Sequence, residues 1–156
     1  MKNPILPVIL ALIALVTSQA AQIGDTVQST VEVQDRVALP VQLEPTEITH
    51  ITLDDGFWLI SGQINILSLS QPSGTLFTAG NISVDSPSFL PAATASVQAE
   101  KVAALGNIIR PVSLVPRAVE VDNGTEVFLV GGVFNPNAQV SAWGFITAVK
   151  VRNHVP

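Results

Sequence analysis

Apolar and polar residues alternate along most of this chain from residue 25 onward, and this pattern constrains the fold more than any other feature. The longest alternating run, residues 57–69, places Trp58, Ile60, Ile64 and Ile66 on one side. A period of two residues is that of a β-strand, whose successive side chains point to opposite faces. The alternation therefore predicts a chain built almost entirely from strands.

Turn signals rich in glycine, proline and asparagine divide the alternating runs. The strongest are Asp54-Asp55-Gly56, Pro72-Ser73-Gly74, Asp122-Asn123-Gly124 and Asn135-Pro136-Asn137. The predicted strands are 26–34, 37–43, 48–53, 57–69, 75–84, 108–115, 118–121, 125–134 and 140–152. Eight or nine strands at spacings of about ten residues are typical of a β-sandwich, so the predicted fold class is an all-β jelly-roll sandwich of about eight strands with a short N-terminal hydrophobic helix.

Residues 85–104 break the alternation, because prolines at 87 and 91 are followed by an alanine-rich stretch. Val97, Lys101 and Leu105 recur at the spacing of one helix face. Residues 96–105 are therefore expected to form either a short helix or a surface loop.

The first twenty residues resemble an export signal. Lys2 precedes the apolar run 5–16, and Ser18 and Ala20 are small residues at the −3 and −1 positions of a cleavage site. A retained hydrophobic anchor or assembly plug and a simple buried helix are the alternatives; a membrane would be contacted only through residues 5–16, if they are retained. The predicted organisation is a signal or anchor at 1–20, an N-terminal strand region at 21–45 and a jelly-roll domain at 46–156.

Composition excludes several classes of function. Charged residues make up 12% of the chain, about half of the roughly 25% usual in soluble domains. The net charge is −5, from 7 Lys and Arg against 12 Asp and Glu, so we expect no binding to nucleic acid. Cysteine is absent, which excludes disulfides and thiol chemistry.

Residues suited to catalysis or metal binding are few. His50 and His154 are the only histidines, and nothing in the pattern brings them together. His50 and Asp54 form a possible base with an orienting carboxylate, but a solvated histidine is the simpler interpretation. Asp54 and Asp55 suit a turn better than a calcium site. We predict no catalytic, cofactor-binding or metal-binding residue.

Aromatic and cationic residues suggest two further surfaces. Trp58 and Trp143 are expected to be buried in the core or at an interface, whereas Phe89 and Phe134 are the loop aromatics best placed to stack on a sugar. Four cations form either an anion-binding or intersubunit rim or solvated strand ends. They are Arg110, Arg117, Lys150 and Arg152.

Three segments carry a family resemblance. They are 55–62 (DGFWLISG), 125–133 (TEVFLVGGV) and 140–152 (VSAWGFITAVKVR). Over residues 46–152 they resemble the small jelly-roll domains of the TNF/C1q-like type, as found in bacteriophage virion and tail-associated proteins. This resemblance implies a homotrimer whose subunits pack apolar faces around a threefold axis. The residues expected to pack between subunits or across the two sheets are Phe57, Leu59, Phe128, Val130, Trp143 and Phe145.

Two functions follow as hypotheses. The first is a non-enzymatic structural or attachment protein of a virion or another extracellular assembly. Its partners are copies of itself, other virion or surface proteins, and a host-surface glycan or receptor. The alternative is a secreted or periplasmic binding module directed at carbohydrate. An exposed aromatic residue in a loop is the feature that would favour the second hypothesis.

Overall fold

A computed structural model of the chain describes residues 21–40, 42–69, 74–89, 96–102, 108–134 and 139–153. The expected hydrophobic helix, signal or anchor at 1–20 lies outside the described residues, as do His154 and the rest of the C-terminal tail. Within the described ranges, no helix is long and apolar enough to cross a membrane.

The described chain consists of β-strands, joined in one place by a short 3-10 turn at Val33–Asp35. The first five strands are β1 (Thr26–Val31), β2 (Val37–Leu39), β3 (Thr46–Leu53), β4 (Gly56–Leu69) and β5 (Gly74–Val84). The remaining strands are β6 (Ser96–Val102), β7 (Ile108–Ser113), β8 (Arg117–Val121), β9 (Thr125–Phe134) and β10 (Gln139–Arg152).

These strands form two antiparallel sheets. The larger sheet has the order β1-β10-β4-β7, with β2 also paired to β10 and β8 also paired to β4. The smaller sheet has the order β3-β9-β5-β6. If β1 with β2 and β7 with β8 are each counted as one interrupted strand, the two sheets read 1-8-3-6 and 2-7-4-5, which is the strand order of a jelly roll. The predicted fold class is thus confirmed.

The core lies between the sheets and contains the residues that the alternation assigned to one side of each strand. Ile60 and Ile64 of β4 and Ile146 of β10 are fully buried in the larger sheet, and they belong to one cluster with Ile82 and Leu129 of the smaller sheet. Every second residue of β10 from Val140 to Lys150 is buried, and β4 follows the same alternation except at Gly62. Because successive side chains point to opposite sides of a strand, each sheet has one face in the core and one outer face.

The sequence prediction was wrong for residues 96–102 and for the end of the second strand. Residues 96–102 form neither helix nor loop, because β6 pairs with β5 over its whole length, from Ser96 opposite Gly80 to Val102 opposite Gly74. Pairing with a neighbouring strand here overrides a weak local preference. The second strand was expected to reach residue 43, but β2 ends at Leu39, just before Pro40, which lacks the N–H that a ladder requires.

Candidate functional site

The outer face of the larger sheet is the broadest open surface that the strands themselves build. Its side chains are the outward-pointing members of the paired rows of β10 and β4, from Val149 opposite Leu59 to Ser141 opposite Leu67, extended by β1, β7 and β8. The members of this outer face are Val149, Thr147, Phe145, Trp143, Ser141, Leu59, Ser61, Gln63, Asn65, Leu67, Thr26, Gln28, Thr30, Ile109, Pro111, Ser113 and Ala118.

The outer face carries no formal charge at any of these described positions. Charged residues lie at the ends of the face: Phe57 pairs with Glu120 on one side and Arg152 on the other, and Arg36 lines a hollow with Ser141. The Arg152 guanidinium lies 4.6 Å from the centre of the Phe57 ring. A sheet face that is open to solvent usually carries polar side chains, charged ones among them. The outer face differs from such faces because it carries no charge.

Large apolar side chains are open to solvent across the outer face. Leu59 is 46% exposed, Phe145 38% and Ile109 55%. Trp143 and Val149 are half-buried on the same face. Leu59 pairs with Val149 and Leu67 with Ile109, so apolar groups recur along the face between rows of polar side chains. Exposed large apolar groups are found at surfaces that meet another molecule.

Polar side chains on the outer face bond to one another. Gln63 donates from Nε2 to Asn65 Oδ1 at 3.2 Å, and Gln28 donates from Nε2 to Thr30 Oγ1 at 3.2 Å. Because these groups already hold a hydrogen bond within the face, covering them removes less hydration than covering unpaired amides would. The face is therefore suited to burial.

The six residues predicted from the sequence to pack between subunits or across the sheets divide between two surfaces. Four of them lie on the larger sheet and point outward: Phe57, Leu59, Trp143 and Phe145. Phe128 and Val130, in contrast, belong to β9 of the smaller sheet, where they are 6% and 0% exposed yet lie outside the core cluster. They are buried on the outer side of that sheet.

The segment after β5 covers the outer side of the smaller sheet. Asn81 donates from Nδ2 to the Ser88 carbonyl oxygen at 2.9 Å, and the Ser88 N–H donates to Ser83 Oγ at 3.2 Å. The Phe89 ring lies against Gly132, where an added Cβ would meet ring atom Cζ at 2.5 Å. Phe89, expected as an exposed loop aromatic, is thus half-buried against its own sheet.

Phe134 is accessible, but it lies in a strand and not in a loop as the sequence predicted. It ends β9 at 48% exposure, and its ring centre lies 6.3 Å from that of Phe77, which is 38% exposed. Gln42 forms an isolated bridge with Phe134 at the sheet margin. The smaller sheet therefore leaves one exposed aromatic pair beyond the segment that covers it.

His50 is not paired with Asp54. Its Nδ1 lies 2.7 Å from Glu47 Oε1 on the exposed side of β3, and its ring packs 5.6 Å from that of Phe128. Trp58, as predicted, is fully buried, and its Nε1 donates to the Asp54 carbonyl oxygen at 3.1 Å. In the described part of the chain, no three histidine or acidic side chains lie close enough to hold a metal ion.

The four cations considered as one rim occupy separate environments. Lys150 was expected at a solvated strand end, but it is 2% exposed because it continues the inward row of β10. Its ammonium lies 3.5 Å from Asp54 Oδ1 and 5.6 Å from the centre of the Trp58 ring. Arg117 donates across the sandwich to the Ile82 carbonyl oxygen at 3.0 Å. The parity of the alternation, which puts Lys150 in line with Ile146 and Ala148, is the signal that predicts its burial.

No model of a known protein family and no curated protein sequence matches the chain. The structure is similar to a chain in the structure of infectious bursal disease virus, Gx strain, with a TM-score of 0.51 and 11% sequence identity over 97% of this chain and 38% of that chain. It is also similar to a mutant VP2 protein of the same virus in derived T=1 particles, with a TM-score of 0.38 and 10% identity over 82% of this chain and 30% of that chain.

The chain spans well under half the length of these viral chains. At such low identity the first likeness concerns the fold alone.

Proposed function

We propose that this protein is a non-enzymatic structural protein of a virion or another extracellular assembly, and that it assembles with copies of itself through the outer face. The observation that carries the proposal is the absence of charge from the outer face, together with the exposure of Leu59 and Phe145. The similarity in fold to a chain of a virus structure also supports the proposal.

A second copy of this chain is the occupant that fits the outer face best. A charged partner would lose hydration against a surface that offers no opposite charge. An identical uncharged face, in contrast, brings apolar groups together without any repulsion between like charges. The low charge of the whole chain, 12%, agrees with a subunit that hides part of its surface.

The size of the outer face suits a specific but moderate interface. From Leu59 to Leu67 it runs about 27 Å along the strands, and its four strands are about 19 Å wide. Roughly 500 Å² of flat area on each partner lies near the lower limit for specific protein interfaces. We therefore expect assembly at micromolar concentration.

Three is the proposed number of subunits, and it follows from the resemblance to TNF/C1q-like jelly rolls. In a trimer the faces surround a threefold axis, where the half-buried Trp143 and the exposed Phe145 would supply the aromatic anchors. Attachment to other virion proteins or to a host receptor is the remaining part of the proposal, which the charged margin at Glu120 and Arg152 would suit.

The experiment that tests self-assembly compares two matched substitutions by sedimentation velocity. Phe145→Glu places a charge in the outer face, whereas Phe134→Glu makes the same change at a similarly exposed phenylalanine on the smaller sheet. Burying an unpaired carboxylate costs several kcal/mol, and about 3 kcal/mol weakens association more than 100-fold. We expect Phe145→Glu to be monomeric and Phe134→Glu to assemble like the wild type, with circular dichroism showing that both are folded. Assembly of Phe145→Glu at wild-type affinity would exclude the outer face as the interface.

A carbohydrate-binding module is the second candidate, favoured by the exposed pair Phe77 and Phe134. Aromatic rings present flat apolar faces on which sugar rings stack. This candidate predicts that a glycan array gives hits that Phe134→Ala abolishes and Phe145→Ala does not. An array without hits on folded wild-type protein would count against it.

A further inference from the structure

Ala21, the first described residue, is held at both of its backbone polar groups by a pair of charged side chains. Its N–H donates to Asp54 Oδ2, and its carbonyl oxygen accepts from Lys150 Nζ at 2.9 Å. Lys150 and Asp54 also contact each other at 3.5 Å, with side chains 2% and 20% exposed. Ala21 is thus fixed to the far end of the sequence by buried charge.

The structure makes room for this arrangement. Gly56 adopts a φ of +141°, and a Cβ there would lie 2.6 Å from Lys150 Cε. Backbone hydrogen bonds also hold the residues after Ala21 to Lys150. The Gly24 N–H donates to the Lys150 carbonyl oxygen at 2.8 Å, and the Lys150 N–H donates to the Asp25 carbonyl oxygen at 3.0 Å. Burying a lysine ammonium without partners costs free energy. The contacts of Lys150 with Asp54 and with the Ala21 carbonyl oxygen therefore define a specific site around Ala21.

The residues before Ala21 carry the small side chains of a cleavage site, Ser18 at −3 and Ala20 at −1. We propose that the chain is processed between Ala20 and Ala21, and that the new α-ammonium of Ala21 forms an ion pair with Asp54. Water adds across the peptide bond: the C–N bond breaks, Ala20 leaves with a carboxylate, and the amine of Ala21 takes up a proton. A signal peptidase of the exporting cell is the class of enzyme that performs this hydrolysis.

The charges around Ala21 favour a cation over a neutral amide. Asp54 faces its nitrogen directly, and Asp55 lines the open hollow shared by Ala21 and Lys150. Asp25 lies beside them and accepts from the N–H of Gln22. Asp54 contacts both Lys150 and the Ala21 nitrogen, and two further carboxylates lie nearby, so an α-ammonium at Ala21 has acidic partners. An ionised donor also makes a stronger hydrogen bond to a carboxylate than an amide does.

The first test determines the N-terminus of the protein exported from the full gene, by intact mass and N-terminal sequencing. The proposal predicts a chain that begins at Ala21. A retained residue 1–20 segment, or a mature chain that begins at another residue, would overturn it. This test is independent of the proposed assembly, because it reports only the covalent chain.

The second test measures how fast an N-hydroxysuccinimide ester labels the α-amine at neutral pH in the exported protein. An amine paired with Asp54 is protected, so we expect labelling about tenfold faster in Asp54→Asn than in wild type. Asp35→Asn is the matched control, with the same chemical change at an exposed aspartate in the Val33–Asp35 turn, and we expect it to label like wild type. Equal rates for the two variants would overturn the ion pair.

A comparison within the wild type covers the case in which Asp54→Asn does not fold. The labelling rate of the folded wild-type protein is measured against that of the same protein in concentrated denaturant. The proposal expects at least tenfold protection in the folded state. Equal labelling in the two states would show that the α-amine is free.

Discussion

The ring of Phe89 lies against the backbone at Gly132, so close that a methyl group at residue 132 would meet ring atom Cζ at 2.5 Å. This contact holds the segment after β5 against the smaller sheet, where Ser88 also forms hydrogen bonds with Asn81 and Ser83. The outer side of the smaller sheet is thereby covered by its own chain. The outer face of the larger sheet has no such cover among the described residues.

Gly132→Ala is expected to displace Phe89 and loosen the segment that covers the smaller sheet. The new methyl group would also lie 3.1 Å from the Glu44 carbonyl oxygen, which cannot move without the backbone. Overpacking of this kind costs about 1–3 kcal/mol, and urea unfolding measures the loss.

Gly131→Ala is the matched control for Gly132→Ala. Its methyl group would lie 3.2 Å from the terminal Cδ1 of Ile48, a flexible side-chain end that can give way. We expect the smaller loss of stability at Gly131. If Gly132→Ala lost less stability than Gly131→Ala, this would contradict the role of Phe89 in holding the segment after β5 against the smaller sheet.

Trp58→Phe and Trp143→Phe are expected to differ strongly in their effect on stability. Trp58 is fully buried and donates to the Asp54 carbonyl oxygen, so the change leaves a cavity and an unpaired acceptor. We expect a loss of about 2–4 kcal/mol at Trp58. Trp143 is half-buried on the outer face, and we expect less than about 1 kcal/mol there. Chemical unfolding followed by far-ultraviolet circular dichroism makes the comparison, and equal losses would contradict the assignment of the two tryptophans to core and surface.

Assembly is expected to be nearly insensitive to salt. The outer face is uncharged, so screening by added ions has no attraction to weaken. Sedimentation velocity at about 0.05 M and about 0.5 M sodium chloride should give the same association constant within about threefold. A tenfold weakening in high salt would show that ion pairs, and not the outer face, hold the subunits together.

The faces of β4 were predictable from the sequence because its alternation is long and unbroken. Trp58, Ile60 and Ile64 are buried as the period requires, and the glycine at 124 has the positive φ of a tight turn, +83°. In such segments the local pattern and the tertiary structure agree.

The remaining features depend on contacts between distant segments. β6 becomes a strand because β5 offers an unpaired edge, which no local pattern of residues 96–102 reveals. Phe128 and Val130 were predicted to pack between subunits or across the sheets. The structure buries them on the outer side of their sheet, which the chain after β5 covers, and only the folded structure shows this cover. The site around Ala21 brings together residues 21, 54 and 150, which are far apart in the sequence.

Native mass spectrometry of the wild-type protein at micromolar concentration tests self-assembly most directly. One spectrum reports both the mass of the chain and the mass of its assembly. The account predicts an assembly of three identical chains, held together by the outer face. A spectrum that contains only single folded chains would contradict it.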